Sequence, residues 1–280
     1  MIPQRNLSLL SNRLAQAGGR RIPEAILERD YCLAWFLVGL SRSPLREHLI
    51  FKGGTALKRC YFGDYRFSED LDFSLAGTMP MESILTGFQG IYDEVRDESG
   101  IPFRYLREDR HKHQNTYTFY LGYDGPLPSA SSREVKVDIT ITESFVCPIV
   151  DRAILRGYEE YVDLPDNSVI RVYSLDEIVG EKVRALTDPA RNEPRDLYDI
   201  WFLTTEGHVD LVLLVPEIKG KMESRGHSWN GLSEEFDKKE TRLKKLWDAR
   251  LGSQIVALPH FDEVFRAVRR TMRAAGLAGR

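Results

Sequence analysis

Apolar positions along the chain change period several times, and each change marks a predicted element. Ile26, Leu27, Leu33, Phe36, Leu37 and Leu40 recur at helical spacing behind Pro23, a residue suited to a helix start. A shorter amphipathic segment, Leu7 to Ala17, precedes them and ends at Gly18-Gly19-Arg20-Arg21. A third stripe, Ile84, Leu85, Phe88, Ile91 and Val95, predicts a helix from about Met81 to Ser99, ended by Gly100-Ile101-Pro102. Strands are predicted at His48 to Phe51, around Leu71, Phe73 and Leu75, and at Phe103 to Leu106, Thr116 to Tyr123, Arg133 to Thr142 and Ser168 to Val172. A Gly/Pro/Ser-rich hairpin loop joins the two strands before Ser168 to Val172, and residues 143–172 otherwise read as loop and short strands.

Beyond residue 172 the pattern turns helical. Ser174 followed three residues later by Glu177 is a capping box, and Leu175 begins an apolar stripe. At about 100° per residue, Lys182 falls inside the arc of Leu175, Ile178, Val179, Val183 and Leu186. A lysine there must snorkel, pair with a carboxylate or reach a ligand's phosphate. Pro194 opens the helix RDLYDIWFL, in which Leu197, Ile200 and Trp201 form a packing face with Asp196 at its edge and Asp199 further round. The remainder predicts helices interrupted at Pro216, then Ser233 to Arg250 and Pro259 to Ala275. The fold class is therefore α/β (α+β): a small mixed sheet flanked by helices, with residues 1–172 as one domain and 173–280 as a helical C-terminal lobe.

The candidate chemistry lies between Phe51 and Leu75, FKGGTALKRCYFGDYRFSEDLDFSL. Alternation turns Leu71, Phe73 and Leu75 to one side and Asp70, Asp72 and Ser74 to the other. The two aspartates then lie roughly 6.6 Å apart at about 3.3 Å per residue. Two carboxylates so close repel unless a cation sits between them, and a hard divalent metal such as Mg²⁺ takes oxygen ligands and bridges to phosphate. Upstream, Lys52-Gly53-Gly54-Thr55 reads as a turn whose backbone can approach an anion closely, without the Walker A spacing. In the strand EVKVDITI, Lys136, Asp138 and Thr140 face away from the apolar side, and a mid-strand aspartate is disfavoured by propensity. The pair His111 and His113, around Lys112, sits in a polar loop with no fixed geometry and reads as solvated.

The run KGGTAL followed by RFSEDLDF resembles the first motif of the nucleotidyltransferase superfamily, and within it the AbiEii/AbiGii-type, MenT-like toxins of type IV toxin–antitoxin systems. EKVRAL is similar to that family's E-K-x-x-A-L motif, and RDLYDI to its R-D-x-Y-D-hydrophobic motif. The likeness extends more loosely from about Ile26 to Leu203. It implies Asp70, Asp72 and Asp138 as ligands of Mg²⁺ or Mn²⁺, and Lys52, Gly53, Gly54, Thr55 and Ser68 around an NTP. It further implies Lys182 at the triphosphate and Asp196 holding Lys182 or Arg195, or touching the nucleotide. Nucleotide transfer to the 3′ end of tRNA, a block of translation and a cognate antitoxin encoded beside the gene are implied in the same way.

Composition sharpens this only slightly. The formal net charge is -3, so no global positive field advertises nucleic acid, although residues 231–280 hold about 11 basic and 7 acidic side chains. Lys238-Lys239, Lys244-Lys245 and Arg269-Arg270 with Arg273 are candidate phosphate-backbone contacts. Cys32, Cys60 and Cys147 lack metal-ligand spacing, the longest apolar run, Tyr31 to Leu40, is too short for a bilayer, and no signal peptide opens the chain; a cytoplasmic protein with no membrane partner is expected. Residue chemistry leaves the acceptor open. An antibiotic-like small molecule, a protein hydroxyl, or no turnover at all in an NTP-binding regulator are the alternatives.

Overall fold

A computed structural model describes the chain apart from residues 18, 112–113, 129–132, 225, 227–231 and 278–280, and apart from the side chains of 232–234. His113 of the histidine pair and the middle of the hairpin loop thus lie outside the described residues, while the His111 N–H donates to Asp109 Oδ1 at 2.8 Å. Seven strands form one sheet in the order β3-β4-β5-β2-β1-β7-β6. These are β1 (Leu49–Lys52), β2 (Leu71–Leu75), β3 (Phe103–Glu108), β4 (Thr116–Tyr123), β5 (Glu134–Thr140), β6 (Ile149–Ala153) and β7 (Val169–Tyr173). The sheet is mixed: β2 runs parallel to β5 and β1 parallel to β7, while β1–β2, β3–β4 and β4–β5 are antiparallel.

Alternation gives the sheet two unlike faces. Phe51, Leu71, Phe73, Phe119, Val137 and Ile139 are all buried. Helix α2 (Glu24–Arg42) and helix α4 (Met81–Ser99) cover this side, with Phe36 packed edge-on against Phe88 and Phe103, and Phe88 against Phe119. α2 is buried nearly all round, because α1 (Gln4–Gln16) and α4 both pack on it. Its charged residues are paired inside: Glu28 with Arg133 at 2.8 Å, and Asp30 with the fully buried Arg59.

By compactness the chain divides into two units. The first holds residues 1–143, 149–172 and 254–256; the second holds 144–148, 173–253 and 257–280. In the first, the 254–256 segment is stitched to the sheet domain: Gln254 O accepts the Phe67 N–H at 2.9 Å and Val256 O the Arg20 N–H at 2.8 Å. The second unit contains α5 (Leu175–Thr187), α6 (Pro194–Thr205), α7 (Val215–Ser224), α8 (Leu232–Lys238), α9 (Glu240–Leu251) and α10 (Phe261–Ala274). Phe236 stacks on Phe265 at 4.6 Å, and Phe261 packs on Phe265 and Trp247.

Several expectations need correction. β2 starts at Leu71, so Asp70 and Ser68 stand ahead of the strand rather than in it. Pro216 does not interrupt a helix; it lies in the first turn of α7, where a missing N–H costs nothing. The predicted Ser233 to Arg250 helix is two helices meeting at Lys239, whose ammonium donates to the carbonyls of Leu186, Asp188 and Arg191. The Ser174 hydroxyl accepts the Glu177 N–H at 3.3 Å, but the Glu177 carboxylate accepts the N–H groups of Val146 and Cys147 at 3.1 and 2.7 Å and pairs with buried Lys221. Half of the capping box therefore anchors the 144–148 segment instead.

Candidate functional site

Strand register assembles a polar row on the sheet face opposite α2 and α4. Lys52 stands beside Asp72, Asp72 beside Asp138, and Asp138 beside Thr118. Only period two is needed for this, since the partners of each residue across the sheet share its face. Both oxygens of the Asp138 carboxylate are held: Thr118 Oγ1 donates at 2.6 Å and Lys136 Nζ at 2.6 Å. Lys52 Nζ donates to Thr140 Oγ1 at 3.0 Å and pairs with the buried Glu143 at 3.5 Å. Asp70 sits one residue before β2, its backbone carbonyl held by the Thr55 hydroxyl at 2.6 Å.

Lys136 reports how near the three aspartates lie. Burial pulls its ammonium down, but the hydrogen bond it donates to Asp138 and the charges of Asp138, Asp70 and Asp72 outweigh that and hold its pKa above the ordinary lysine value. One cation thus feels all three carboxylates, the electrostatic condition a divalent ion would meet there.

The glycine turn is packed directly onto this row. Gly53 has φ +81°, a conformation that only glycine adopts freely, and a Cβ built on it would lie 2.5 Å from Asp72 Oδ2. A Cβ on Gly54 would lie 3.0 Å from Ser68 Oγ and 3.0 Å from Arg66 Cζ. The backbone requires glycine at 53, and the pair is bordered by a carboxylate on one side and a guanidinium on the other. Thr55 is buried and uses its hydroxyl proton on Asp70, so its side chain positions the aspartate.

Hard cations such as Mg²⁺ bind through one or two carboxylates and complete their shell with water and substrate phosphate. Asp70 and Asp72 beside a glycine turn fit that demand. They do not form a closed cage: among the described residues no group of three or more His, Cys, Asp or Glu side chains is arranged to hold a metal. Asp138, with both oxygens engaged, is an outer member of the set.

The second unit holds a separate cluster. Lys182 Nζ pairs with Asp196 Oδ1 and Asp199 Oδ2, each at 2.8 Å, and Arg191 Nε reaches Asp196 Oδ2 at 2.6 Å. Of the three fates that the sequence allows Lys182, this is the carboxylate pair. Burial pushes the Asp196 carboxyl up, but Lys182 and Arg191 prevail and hold it below the ordinary aspartate value. Asp196 bonds Lys182, one of the two partners expected for it. Arg195 instead pairs with Glu193 at 3.2 Å.

Three participants escaped sequence reasoning. Arg66 and Glu143 lie outside any periodic element, and Thr118 carries no signal until the register of β4 against β5 is known. Lys136 was visible only as a same-face neighbour of Asp138.

Residues 35–267 match the family described as nucleotidyl transferase AbiEii toxin, type IV TA system. The fold is similar to that of MenT4, a nucleotidyltransferase toxin from Mycobacterium tuberculosis H37Rv, with a TM-score of 0.64 over 96% of this chain and 89% of that one, at 17% identity. No curated protein matches by sequence.

Proposed function

The chain belongs to the AbiEii family of nucleotidyltransferase toxins of type IV toxin–antitoxin systems, and from that premise we propose that its polar sheet row transfers a nucleotidyl group from an NTP to the 3′ end of tRNA, blocking translation. The acceptor hydroxyl oxygen attacks the α-phosphorus and its proton passes to the Asp138 carboxylate. The bond from that phosphorus to the oxygen bridging the β-phosphate breaks, and pyrophosphate leaves with the electron pair.

Asp70 and Asp72 would hold Mg²⁺ or Mn²⁺, which when bound neutralises phosphate charge during bond cleavage. The Gly53-Gly54 backbone, with Ser68 beside it, lines the phosphate cradle. Lys136 and Thr118 fix Asp138 where it can orient the attacking hydroxyl. Lys52 braces the edge of the row through Thr140 and Glu143. The single observation that carries this reading is the contact geometry of Gly53 with Asp72: a bare turn with positive φ is set directly against a carboxylate that shares its neighbourhood with two others.

The RNA acceptor rests on the family resemblance, with modest support from the second unit. Lys245, Arg266, Arg270 and Arg273 are exposed on α9 and α10, whereas Lys238, Lys244 and Arg269 are matched by Glu235, Asp262 and Asp237. An antitoxin partner follows from the type IV family, and we place the protein in the cytoplasm; no helix among the described residues is long and apolar enough to cross a membrane.

The deciding experiment incubates the protein with Mg²⁺, total tRNA and each NTP carrying a radiolabelled α-phosphate, alongside Asp72→Ala. Label on tRNA from one or two NTPs, absent with the variant, is the expected result. Label on protein alone would move the acceptor to a side-chain hydroxyl. No label on any acceptor, with NTP still bound, would overturn the transfer reading in favour of a regulator.

A further inference from the structure

The segment 62–70, between the glycine turn and β2, has almost no regular structure, yet it is fastened along its length. Lys58 is fully buried and donates to Gly63 O at 3.1 Å, Tyr65 O at 3.0 Å and the Tyr158 hydroxyl at 3.0 Å. Its ammonium also lies 4.2 Å from the centre of the Phe67 ring. Phe67 N–H donates to Gln254 O, Glu69 pairs with Arg29, and Thr55 holds the Asp70 carbonyl. A loop tied at 63, 65, 67, 69 and 70 leaves little freedom to the residues between.

Two of those residues, Arg66 and Ser68, are directed at Gly54. Arg66 is only 4% exposed, its Cζ lies 5.7 Å from the Tyr65 ring centre, and Nη1 makes a 3.4 Å contact with Phe67 O. Its Nη2 is the nearest atom to the space where a Gly54 side chain would be, with Ser68 Oγ next to it. Consecutive glycines thus carry opposite charges on their bare faces: Asp72 against Gly53, Arg66 against Gly54. A guanidinium is a planar fork that matches two phosphate oxygens, and burying one is costly unless charge and hydrogen bonds meet it.

We infer that Arg66 is the cationic wall of the phosphate cradle and holds the β,γ-diphosphate that leaves as pyrophosphate. This inference rests on the phosphate-cradle reading above and adds the group that receives the leaving charge. As the bond to the α-phosphorus breaks, the electron pair passes to the bridging oxygen of the pyrophosphate. A fixed guanidinium at that position stabilises the charge without reorganising. Lys58 acts through the loop as a positioning residue, holding the chain on either side of Asp64 so that Arg66 faces the glycine pair.

The test is calorimetric titration of the full-length protein with inorganic pyrophosphate and Mg²⁺, for the wild type, Arg66→Gln and Arg66→Lys, with a nucleoside monophosphate as control ligand. The expected result is a rise of about tenfold or more in the pyrophosphate Kd for Arg66→Gln, unchanged monophosphate binding, and partial recovery in Arg66→Lys. A pyrophosphate Kd for Arg66→Gln within about twofold of wild type overturns the inference. If Arg66→Gln fails to fold, the folded Arg66→Lys decides: wild-type pyrophosphate affinity overturns the inference and a raised Kd supports it. Label transfer assayed in the same preparations separates the two readings. Active wild type with Arg66-independent pyrophosphate binding removes Arg66 alone, while Arg66-dependent binding without transfer to any acceptor removes the transfer reaction and leaves the cradle.

Discussion

Asp72 and Asp138 stand half-buried on one sheet face beside Lys136, whereas Asp196 and Asp199 are fully buried around Lys182. The residue types are the same and their surroundings are opposite. In the first unit three carboxylates act on one partly exposed ammonium. In the second, Lys182 and Arg191 saturate Asp196, and the charges are balanced inside the protein. Half-buried carboxylates suit a ligand; fully buried, paired ones suit a scaffold.

That contrast makes the two clusters respond differently to substitution. The largest effect is expected from Asp72→Ala: loss of transfer on the order of 10³-fold or more, with a thermal midpoint close to wild type, followed by label transfer and calorimetry. Lys182→Met should do the reverse in kind, taking from two buried carboxylates the ammonium they share at a cost of about 3–5 kcal/mol, read as a lower denaturation midpoint. A wild-type midpoint for that variant would show that Lys182 is not structural, and the contrast between the clusters would collapse. Gly53→Ala lies between them. The left-handed backbone adds strain of about 1–3 kcal/mol, and the displaced Asp72 should lower kcat/KM by about 10²-fold, so stability and transfer fall together.

The smallest effect concerns Lys58, whose burial lowers its pKa to about 8. Its ordinary value is 10.5, so between these limits the unfolded chain binds more protons than the folded one. The penalty of the buried charge is therefore full below about pH 8 and is relieved as pH rises toward 10.5. Relative to Lys58→Met, the wild type should gain stability across that window, measured by urea unfolding at a series of pH values. Asp196 gives the same sign in the acid range: its depressed pKa contributes stability above the unfolded value that is lost as pH falls through the folded one.

Much of the sheet was legible because its periods are clean. EVKVDITI alternates along all of β5, which turned Asp138 away from the apolar side; the family resemblance set it beside Asp72, and the register pairs the two. α2, α4 and α5 were legible from their stripes, and Ser174 does cap α5. What could not be read was whatever depends on partners far away in sequence. Glu177 looked like a local cap, but its carboxylate serves residues about thirty positions earlier and Lys221 further on. The break at Lys239 has no glycine or proline to announce it, since its cause is three carbonyls from the 186–191 region. Arg66 was invisible for a similar reason: an irregular loop carries no period from which its direction follows.

The short 254–256 segment has a meaning for how this protein could be divided or recombined. Read along the chain, it lies deep in the helical region, yet its backbone carbonyl receives the Phe67 N–H, between Arg66 and Ser68. A chain stopped before Gln254, or one whose last third is exchanged for a relative's, would lose a support of the loop that carries the candidate cradle. The helical third is not a detachable accessory, and its inheritance is bound to that of the site.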